Sequence, residues 1–440
     1  MKLKSLLVAA LSVTAFGANA QHTNWIADTI TMANNGGTTF ANDVFYRMDY
    51  NGARKTEPND NWHIAFVGGA GGRSAAVLGN GAGAGVNVYV LSVAANAKFG
   101  TDLTADTVGK KSTPLYNDIT TWQVGAFNAN GAGHPDYGWG VYDALTHNLS
   151  GNKVYLVTTP GGDYQVWIEE QIANVGPAMG WKFHVADIDG SNRKDEQILI
   201  QSGGYANKLF AYYNIETKTV LDREPDNHQW DLLFTRYMDE AAPGMMYPYT
   251  GILNNTEVII TELRDIDADT ANFHDDYLLD DEANIVGRDW KQNGAPVGTD
   301  YLLNKVCWFI QSRNNSIYEM EITYATTGAG GAKIGFRKRL AVWNNPPLSV
   351  NNVATTNNKL NIYPNPATNA TNLLITAEKA GNVQVLITDV TGKVVKHNQV
   401  NLNAGLNALK VNTNELSNGM YIVTVANGNW KIAEKLSVQH

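Results

Sequence analysis

The sequence has a single cysteine among 440 residues. No disulfide can form within the chain, so the folded state must be stabilised by burial of apolar side chains. The cysteine, Cys307, lies in the segment Lys305–Ile310, whose Val, Trp, Phe and Ile residues are typical of a buried strand. We therefore predict a packed core cysteine rather than a catalytic thiol.

Charged residues are also scarce, at 17% of the chain, and the formal net charge is −9. Binding to DNA or RNA requires a basic surface, so nucleic acid is excluded as a partner. Asn, Thr, Gly, Tyr and Trp are plentiful instead, which favours all-β extracellular modules over helical ones.

Long apolar runs are absent apart from one near the start. Ser5–Phe16 spans twelve residues, fewer than the about 20 that a membrane-spanning helix needs. It follows two lysines and precedes the small residues Ala18–Ala20, the pattern of a cleaved signal peptide. We predict a signal peptide over residues 1–20 and a mature chain without a transmembrane anchor; a buried N-terminal helix is the alternative.

Catalytic signatures are missing as well. The chain contains no His-Glu-x-x-His, no Gly-x-Ser-x-Gly and no cysteine with a supporting histidine. We therefore do not expect an enzyme, and a secreted hydrolase without a recognisable motif is our third interpretation. A glycosidase carboxylate pair is spatial and would escape a sequence search.

The body of the chain contains a diverged internal repeat. Asn42–Tyr46 and Asn61–Phe66 in the first copy correspond to Asn207–Tyr213 and Gln229–Phe234 in the second, in the same order. These segments are short, aromatic and broken by Gly, Asn and Asp, which predicts strands. We expect two tandem antiparallel β-sandwich or open-barrel modules, residues 21–190 and 191–345, each burying its own core.

The last eighty residues have a different character. A polar linker, residues 346–359, begins with two prolines and leads into residues 360–440, which read as a small β-sandwich. This segment resembles the C-terminal sorting domain of type IX (Por) secretion in the Bacteroidota. The positions that carry the resemblance are Pro364, Asn365, Pro366, Gly392, Gly419, Tyr421 and Lys435. The resemblance implies docking to the type IX secretion machinery and a secreted or outer-surface location.

The body also resembles a family. Trp230–Tyr237 reads Trp-Asp-Leu-Leu-Phe-Thr-Arg-Tyr, and the first copy has Trp62–Phe66, a loop Gly68–Val86 with eight glycines, and Gly138–Tyr142. This order is similar to the HmuY family of haem-binding surface proteins of the Bacteroidota. Membership implies an all-β fold and haem held between two axial side chains. We interpret the Gly-rich loop as a mobile segment beside a binding crevice.

Two histidines occur where that resemblance places the haem ligands. His134 and His147 flank Trp139 in loop-like sequence of the first copy, and histidine is a common axial ligand of haem iron. One interpretation is a bis-histidine clamp, and the other is two ordinary loop histidines. His63 falls inside an apparent strand and is predicted to be structural.

Acidic residues suggest one metal site. Asp265, Asp267 and Asp269 open like a calcium loop, with Asp276 at position twelve. Thr270 stands where the sharp turn needs Gly, and the bidentate Glu is missing. A calcium site and a solvated acidic loop both remain open.

The leading hypothesis from the sequence is a secreted, cell-surface binding protein with haem or a related porphyrin as its ligand. The alternative is an adhesion or binding protein that recognises a host glycan or another protein without haem.

Overall fold

The computed structural model describes most of the chain as β-strand. The described residues are 24–32, 40–49, 54–72, 74–92, 94–173, 176–274, 277, 279–288, 290–291, 302–303, 305–313, 316–326, 332–342, 358–389, 394–427 and 430–440. The strands within each sheet pair antiparallel, which confirms the predicted all-β fold. The predicted signal peptide, and all but two residues of the predicted linker, lie outside the described residues.

Among the described residues, eleven strands belong to the first sequence copy. They are β1 (Ile26–Met32), β2 (Asn42–Tyr46), β3 (Arg54–Pro58), β4 (Ile64–Val67), β5 (Val77–Gly79), β6 (Asn87–Ser92), β7 (Gly140–Tyr142), β8 (Leu149–Gly151), β9 (Val154–Thr159), β10 (Gly162–Ile172) and β11 (Gly180–Asp187). Helices within the described residues are short: α1 (Gly81–Ala84), α2 (Ala95–Lys98) and the 3-10 turns Gly69–Gly71, Ala105–Thr107 and Asn227–Gln229.

The second copy and the C-terminal segment contribute the other strands. The second copy forms β12 (Lys194–Leu199), β13 (Phe210–Asn214), β14 (Thr219–Leu221), β15 (Leu232–Ala242), β16 (Met245–Asn254), β17 (Ile259–Arg264), β18 (Val306–Gln311), β19 (Ile317–Thr326) and β20 (Ala332–Val342). The C-terminal segment forms β21 (Lys359–Tyr363), β22 (Ala370–Ala377), β23 (Gly381–Asp389), β24 (Val394–Leu402), β25 (Gly405–Asn412), β26 (Gly419–Asn427) and β27 (Trp430–Val438).

The body consists of two sandwiches with one main core each. In the first sandwich, the sheet β14-β13-β4-β5 packs on the seven-stranded sheet of β6 to β12. Phe183 lies between them, with its ring centroid 4.5 Å from Phe66 and 4.9 Å from Tyr213. In the second sandwich, the sheet β16-β15-β2-β3 packs on the sheet β1-β20-β19-β18-β17. Phe336 holds the same place there, 5.3 Å from Tyr46 and 5.7 Å from Phe234.

The sequence copies and the sandwiches are offset by three strands. Strands β1 to β3 come from the first copy but pair with β20 and β15 in the second sandwich. Strands β12 to β14 come from the second copy but pair with β11 and β4 in the first. The expectation that each copy buries its own core is therefore wrong, because strand pairings cross the predicted boundary at 190/191 in both directions.

We call β1 to β3 and β12 to β14 the exchanged strands. They carry matched contacts in the two sandwiches. Tyr46 on β2 and Tyr213 on β13 are both fully buried. Each hydroxyl donates over 2.9 Å to a carboxylate on the preceding exchanged strand, Asp28 on β1 or Glu196 on β12. The same tyrosine–carboxylate pair thus links the two facing sheets of each sandwich.

A second matched set of contacts lies just before β4 and β15. The Asn80 amide donates to the backbone oxygens of Asn59 (2.7 Å) and Trp62 (2.8 Å). In the other sandwich, the Asn255 amide donates to Asn227 (2.7 Å) and Trp230 (2.8 Å). We call these two sets the tryptophan corners.

The residue that follows the tryptophan in each corner accepts a hydrogen bond from the backbone just after an exchanged strand. His63 Nδ1 accepts from the backbone N–H of Ile215 over 2.9 Å. Asp231 Oδ2 accepts from the backbone N–H of Met48 over 2.7 Å. His63 is buried and bonded in this way, so the prediction of a structural histidine is confirmed.

The Gly-rich loop, residues 68–86, is more ordered than predicted. It contains β5 and α1, and Asn80 caps α1 by accepting from Gly83 N–H over 3.0 Å. Its glycines permit close backbone approach, since a Cβ on Gly68 would lie 2.3 Å from the Lys208 carbonyl oxygen. The interpretation as a mobile segment is therefore wrong, because this loop pairs with β4 and hydrogen-bonds to residues 205–209 before β13.

Cys307 is buried on the outer face of β18 with Phe309 and Ala341. Burial raises the pKa of its thiol to about 12, so the thiolate that a nucleophile requires is not formed near neutral pH. The predicted core cysteine is confirmed.

The C-terminal segment forms a separate small sandwich with its own core. One sheet has the order β21-β22-β25 and the other β24-β23-β26-β27. Leu373, Ile375, Val423 and Leu436 are fully buried between them. This segment shares no hydrophobic cluster with the body among the described residues.

Candidate functional site

His134 and His147 meet at one crevice of the first sandwich. His134 precedes β7, and His147 lies in the turn that joins β7 to β8. Asp143 shapes this turn, since its carboxylate accepts the backbone N–H groups of Leu145 (2.8 Å) and Thr146 (2.9 Å). These hydrogen bonds lower the pKa of the Asp143 carboxyl. His147 itself adopts a positive φ of 61°.

Both imidazoles contact the Tyr142 ring. The centroid distances are 5.2 Å from His134 and 6.0 Å from His147. The Nδ1 atom of His147 lies 2.5 Å from the Tyr142 hydroxyl, and that of His134 lies 3.4 Å from the Tyr137 hydroxyl. Each imidazole therefore has its Nδ1 held by a tyrosine, while no hydrogen bond to either Nε2 occurs within the part of the chain that the structure describes.

The crevice is open and partly apolar. Ala75, Leu149 and Ala173 line it together with the His and Tyr side chains, around a volume of about 360 Å³. Ligand pockets typically measure about 300–1,000 Å³. Trp139, which the two histidines flank in sequence, is not part of it: its indole is buried and donates to the Ala75 carbonyl over 2.8 Å.

Two of the three aspartates of the suggested calcium loop have other partners. The Asp269 carboxylate accepts from the Trp25 indole (2.7 Å) and pairs with Arg337 (2.9 Å). Asp267 accepts from the Asp269 backbone N–H, and Asp265 lies exposed before them. Across the described residues, no group of three or more His, Cys, Asp or Glu side chains is placed to hold a metal ion. Asp276 is outside the described residues, and the calcium site stays a prediction without geometric support.

The sorting-signature residues meet at β27. The side chain of Asn365 donates to the Lys435 carbonyl over 2.7 Å and accepts from the Ser437 N–H over 2.8 Å. The Ala367 N–H adds a 2.8 Å hydrogen bond to the Ser437 carbonyl. Asn365, which stands between Pro364 and Pro366, and Ala367 therefore bond to the free edge of the last strand, and an edge bonded in this way is less open to pairing with another chain.

The other signature positions serve the fold or the surface. The Tyr421 hydroxyl donates to the Ser417 carbonyl over 2.8 Å, which holds the loop before β26. Gly419 and Lys435 are exposed. Gly392 lies outside the described residues.

Sequence analysis missed a cavity between the two sandwiches. It lies where the Gly-rich loop and residues 115–126 meet β15 and β16, and it encloses about 90 Å³. The aromatic residues of its wall are Trp62, Tyr116, Trp122, Tyr212 and Tyr237. No local sequence signal marks it, because its walls come from segments that are distant along the chain.

A buried ion pair forms part of this wall. Arg223 Nη2 lies 2.9 Å from Asp43 Oδ2, with the two side chains only 2% and 4% exposed. The Thr235 hydroxyl donates to the other oxygen of Asp43. Removing one member of such a pair leaves an uncompensated buried charge, so the pair fastens β2 of the second sandwich to the first.

Comparison with known proteins identifies one part of the chain. Residues 361–439 match the secretion system C-terminal sorting domain family. The protein is therefore exported by type IX secretion to the cell surface or beyond, and its C-terminal sandwich interacts with that machinery. No helix of the described residues is long and apolar enough to cross a membrane.

The body has no comparable assignment. No curated protein matches the chain. Among solved structures, dimeric latent PorU from Porphyromonas gingivalis shows 12% identity and a TM-score of 0.17, covering 67% of this chain and 31% of that one. The chain thus spans about a third of that protein, and a likeness at this TM-score carries no argument.

Proposed function

We propose that this exported protein is a surface binding protein that holds haem or a related porphyrin at the crevice of His134 and His147. The observation that carries the proposal is the pair of imidazoles gathered around Tyr142, each with its Nδ1 held by a tyrosine hydroxyl. The resemblance of the body to the HmuY family points to the same ligand. A binding role, rather than catalysis, is part of the proposal.

The donor chemistry of the crevice fits the iron of a porphyrin. Histidine and tyrosine both serve as axial ligands of haem iron. A bound porphyrin would bring an iron atom whose axial positions these side chains could occupy. A ligating imidazole usually donates its other ring N–H to a fixed oxygen. With Nδ1–H directed at a tyrosine oxygen, the Nε2 lone pair of each histidine is available. Ala75 and Leu149 offer apolar surface for the macrocycle.

A haemin titration of the full chain tests this proposal. We expect a saturable, red-shifted Soret band that His134→Ala and His147→Ala each weaken at least about tenfold. His274→Ala is the matched control, because His274 also packs on a tyrosine, 5.3 Å from Tyr277, but lies outside the crevice. A flat titration, or binding by both crevice variants as tight as that of the wild-type protein, would reject the site.

A second candidate function is recognition of a glycan or a protein without haem. The outer half of the β15–β16 hairpin exposes Met245 and Tyr247, each 56% accessible. Tyr247 packs 5.3 Å from Tyr249, and the Arg288 guanidinium lies 3.8 Å from the Tyr249 ring. Aromatic faces of this kind contact sugar rings and protein partners. Loss of glycan-array binding on Tyr247→Ala, with haemin binding unchanged, would favour this role.

A further inference from the structure

The cavity between the sandwiches has donor groups without acceptors. The Trp62 indole N–H and the Arg223 Nε–H are both shielded from solvent and have no hydrogen-bond partner among the described residues. Buried polar groups are paired in the great majority of cases, and an unpaired one is costly. Both residues line the cavity, and both unpaired groups are donors, so a bound molecule that satisfied them would be an acceptor.

A second guanidinium lies in the same wall. Arg236 on β15 is half-buried, and no ion pair or hydrogen bond reaches its guanidinium from the described residues. Burial lowers its pKa against a smaller opposing effect of Tyr247, as expected for a cation whose lost hydration has only partial compensation. An anion beside it would restore that compensation.

The acidic residues of the wall are already engaged. Asp43 is neutralised by Arg223 and accepts from Thr235. Asp118, the other acid, is exposed and accepts from the backbone N–H of Thr120 over 2.9 Å and from its hydroxyl over 2.8 Å. Among the described residues of this wall, Arg236 is therefore the positive charge that has no ion-pair partner, since Asp118 bonds to Thr120 and Asp43 to Arg223.

The remaining surface limits the size and shape of a ligand. Arg223 stacks 4.9 Å from the Tyr212 ring, which packs 5.0 Å from Trp62, so the wall near the donors is built of aromatic rings. The cavity of about 90 Å³ is smaller than the ~150 Å³ cavity that admits benzene. It suits a molecule smaller than an aromatic ring.

We propose that this cavity is a second binding site, separate from the histidine crevice, for a short-chain carboxylate. The carboxylate would accept from the Trp62 and Arg223 N–H groups and lie beside Arg236, whose guanidinium would add a charge-assisted interaction. The short apolar chain would pack against the remaining aromatic wall. The proposal does not depend on haem binding.

Calorimetric titration of the full chain with butyrate, butyramide and inorganic phosphate tests this site. Butyrate should bind saturably, whereas butyramide, which keeps the shape without the charge, should bind at least about tenfold more weakly. Phosphate should also bind more weakly, because it lacks an apolar part. Equal binding of butyramide or phosphate, or no saturable butyrate binding by the wild-type protein, would overturn the proposal.

Variants locate the binding. Arg236→Ala should weaken butyrate binding about tenfold or more, and Trp62→Phe, which keeps a ring but removes the N–H, should weaken it by a smaller factor. Arg193→Ala is the matched control: Arg193 also packs on a ring, 5.2 Å from Phe99, but is not part of the cavity wall. Unchanged binding by Arg236→Ala, with folding verified by circular dichroism, would reject the site. His134→Ala should bind butyrate normally, which separates this result from the haem test.

Discussion

The two tryptophan corners share one backbone framework but differ in the residue that follows the tryptophan. In the first sandwich that residue is His63, and in the second it is Asp231. Both accept one backbone N–H from the segment after an exchanged strand, so the framework requires an acceptor at this position but not a particular side chain. The difference teaches that the same strand exchange can be held by a hydrogen bond to an imidazole in one sandwich and to a carboxylate in the other.

Removing the exchanged strands of the second sandwich should have the largest effect, because it should unfold one sandwich and leave the other intact. A chain without residues 24–58 loses β1, β2 and β3, which provide an edge strand and half of the facing sheet of the second sandwich. The first sandwich keeps all its strands, β4 to β14. We expect slow amide hydrogen exchange to persist in residues 64–221 and to be lost in residues 232–342, as measured by mass spectrometry.

A substitution that disrupts the first sandwich instead of the second controls for a general loss of stability. Ala211 on β13 is fully buried in the first core, so Ala211→Asp should unfold the first sandwich by placing a carboxylate there. Protection of residues 232–342 in the deleted chain would show that the exchanged strands are dispensable.

The asparagines of the corners give an intermediate effect. Asn80→Ala and Asn255→Ala each leave two buried carbonyls without their donor, which should cost about 2–4 kcal/mol of unfolding free energy. Asn80→Ala should cost about 1 kcal/mol more, because Asn80 also caps α1. Urea unfolding measures both losses, and hydrogen exchange assigns each loss to its sandwich.

Asn87→Ala is the control for these variants. The Asn87 amide is half-buried and makes only long contacts, of 3.4 Å to Gly85 and to Thr158, so its removal should change stability by about 0.5 kcal/mol or less. A loss from Asn80→Ala no larger than this would show that the corner does not fasten the sandwich.

The pH dependence of the corners is the smallest expected effect, and its sign differs between them. Burial lowers the pKa of His63 against the smaller opposing effects of Glu216 and Asp60. The unfolded chain then takes up a proton first as the pH falls below about 6.5, so His63 makes the first sandwich less stable in acid.

Asp231 behaves in the opposite way. Burial raises its pKa, despite the Met48 N–H and the charges of Arg47 and Lys338. The folded chain therefore keeps a proton to higher pH than the unfolded one, and stability falls as the pH rises from about 3.9 towards the folded pKa. His63→Asn and Asp231→Asn keep an acceptor but do not titrate. Their stability relative to wild type, measured by urea unfolding, should rise on acidification for His63→Asn and fall for Asp231→Asn.

The strands themselves were predictable from sequence, but their partners were not. Residues 62–66 and 230–234 were expected to form strands because of their aromatic and β-branched residues, and β4 and β15 begin there. Alternation along a strand shows which face is buried, not which strand lies beside it. The repeat was therefore visible, whereas the crossing of its two copies was not.

The two candidate sites also differ in how far sequence could predict them. His134 and His147 are close in sequence, and local chain folding brings them to one crevice, although at Tyr142 rather than Trp139. The carboxylate site needs Trp62, Arg223 and Arg236 from segments that are far apart along the chain. No spacing along the chain could have indicated that these three residues share a wall.

The pairing of β1 with β20 affects the order of folding. The first sandwich closes with contacts inside residues 64–221, while the second must join Ile26 to Lys338. Pairings of such high contact order form slowly, because loop closure costs entropy before the contacts stabilise it. Domains generally fold from the N-terminus during synthesis, so β1 to β3 emerge first and find their partners last. Until then β15 and β20 have open edges that can join other chains, and aggregation during export is the consequence that this topology must avoid.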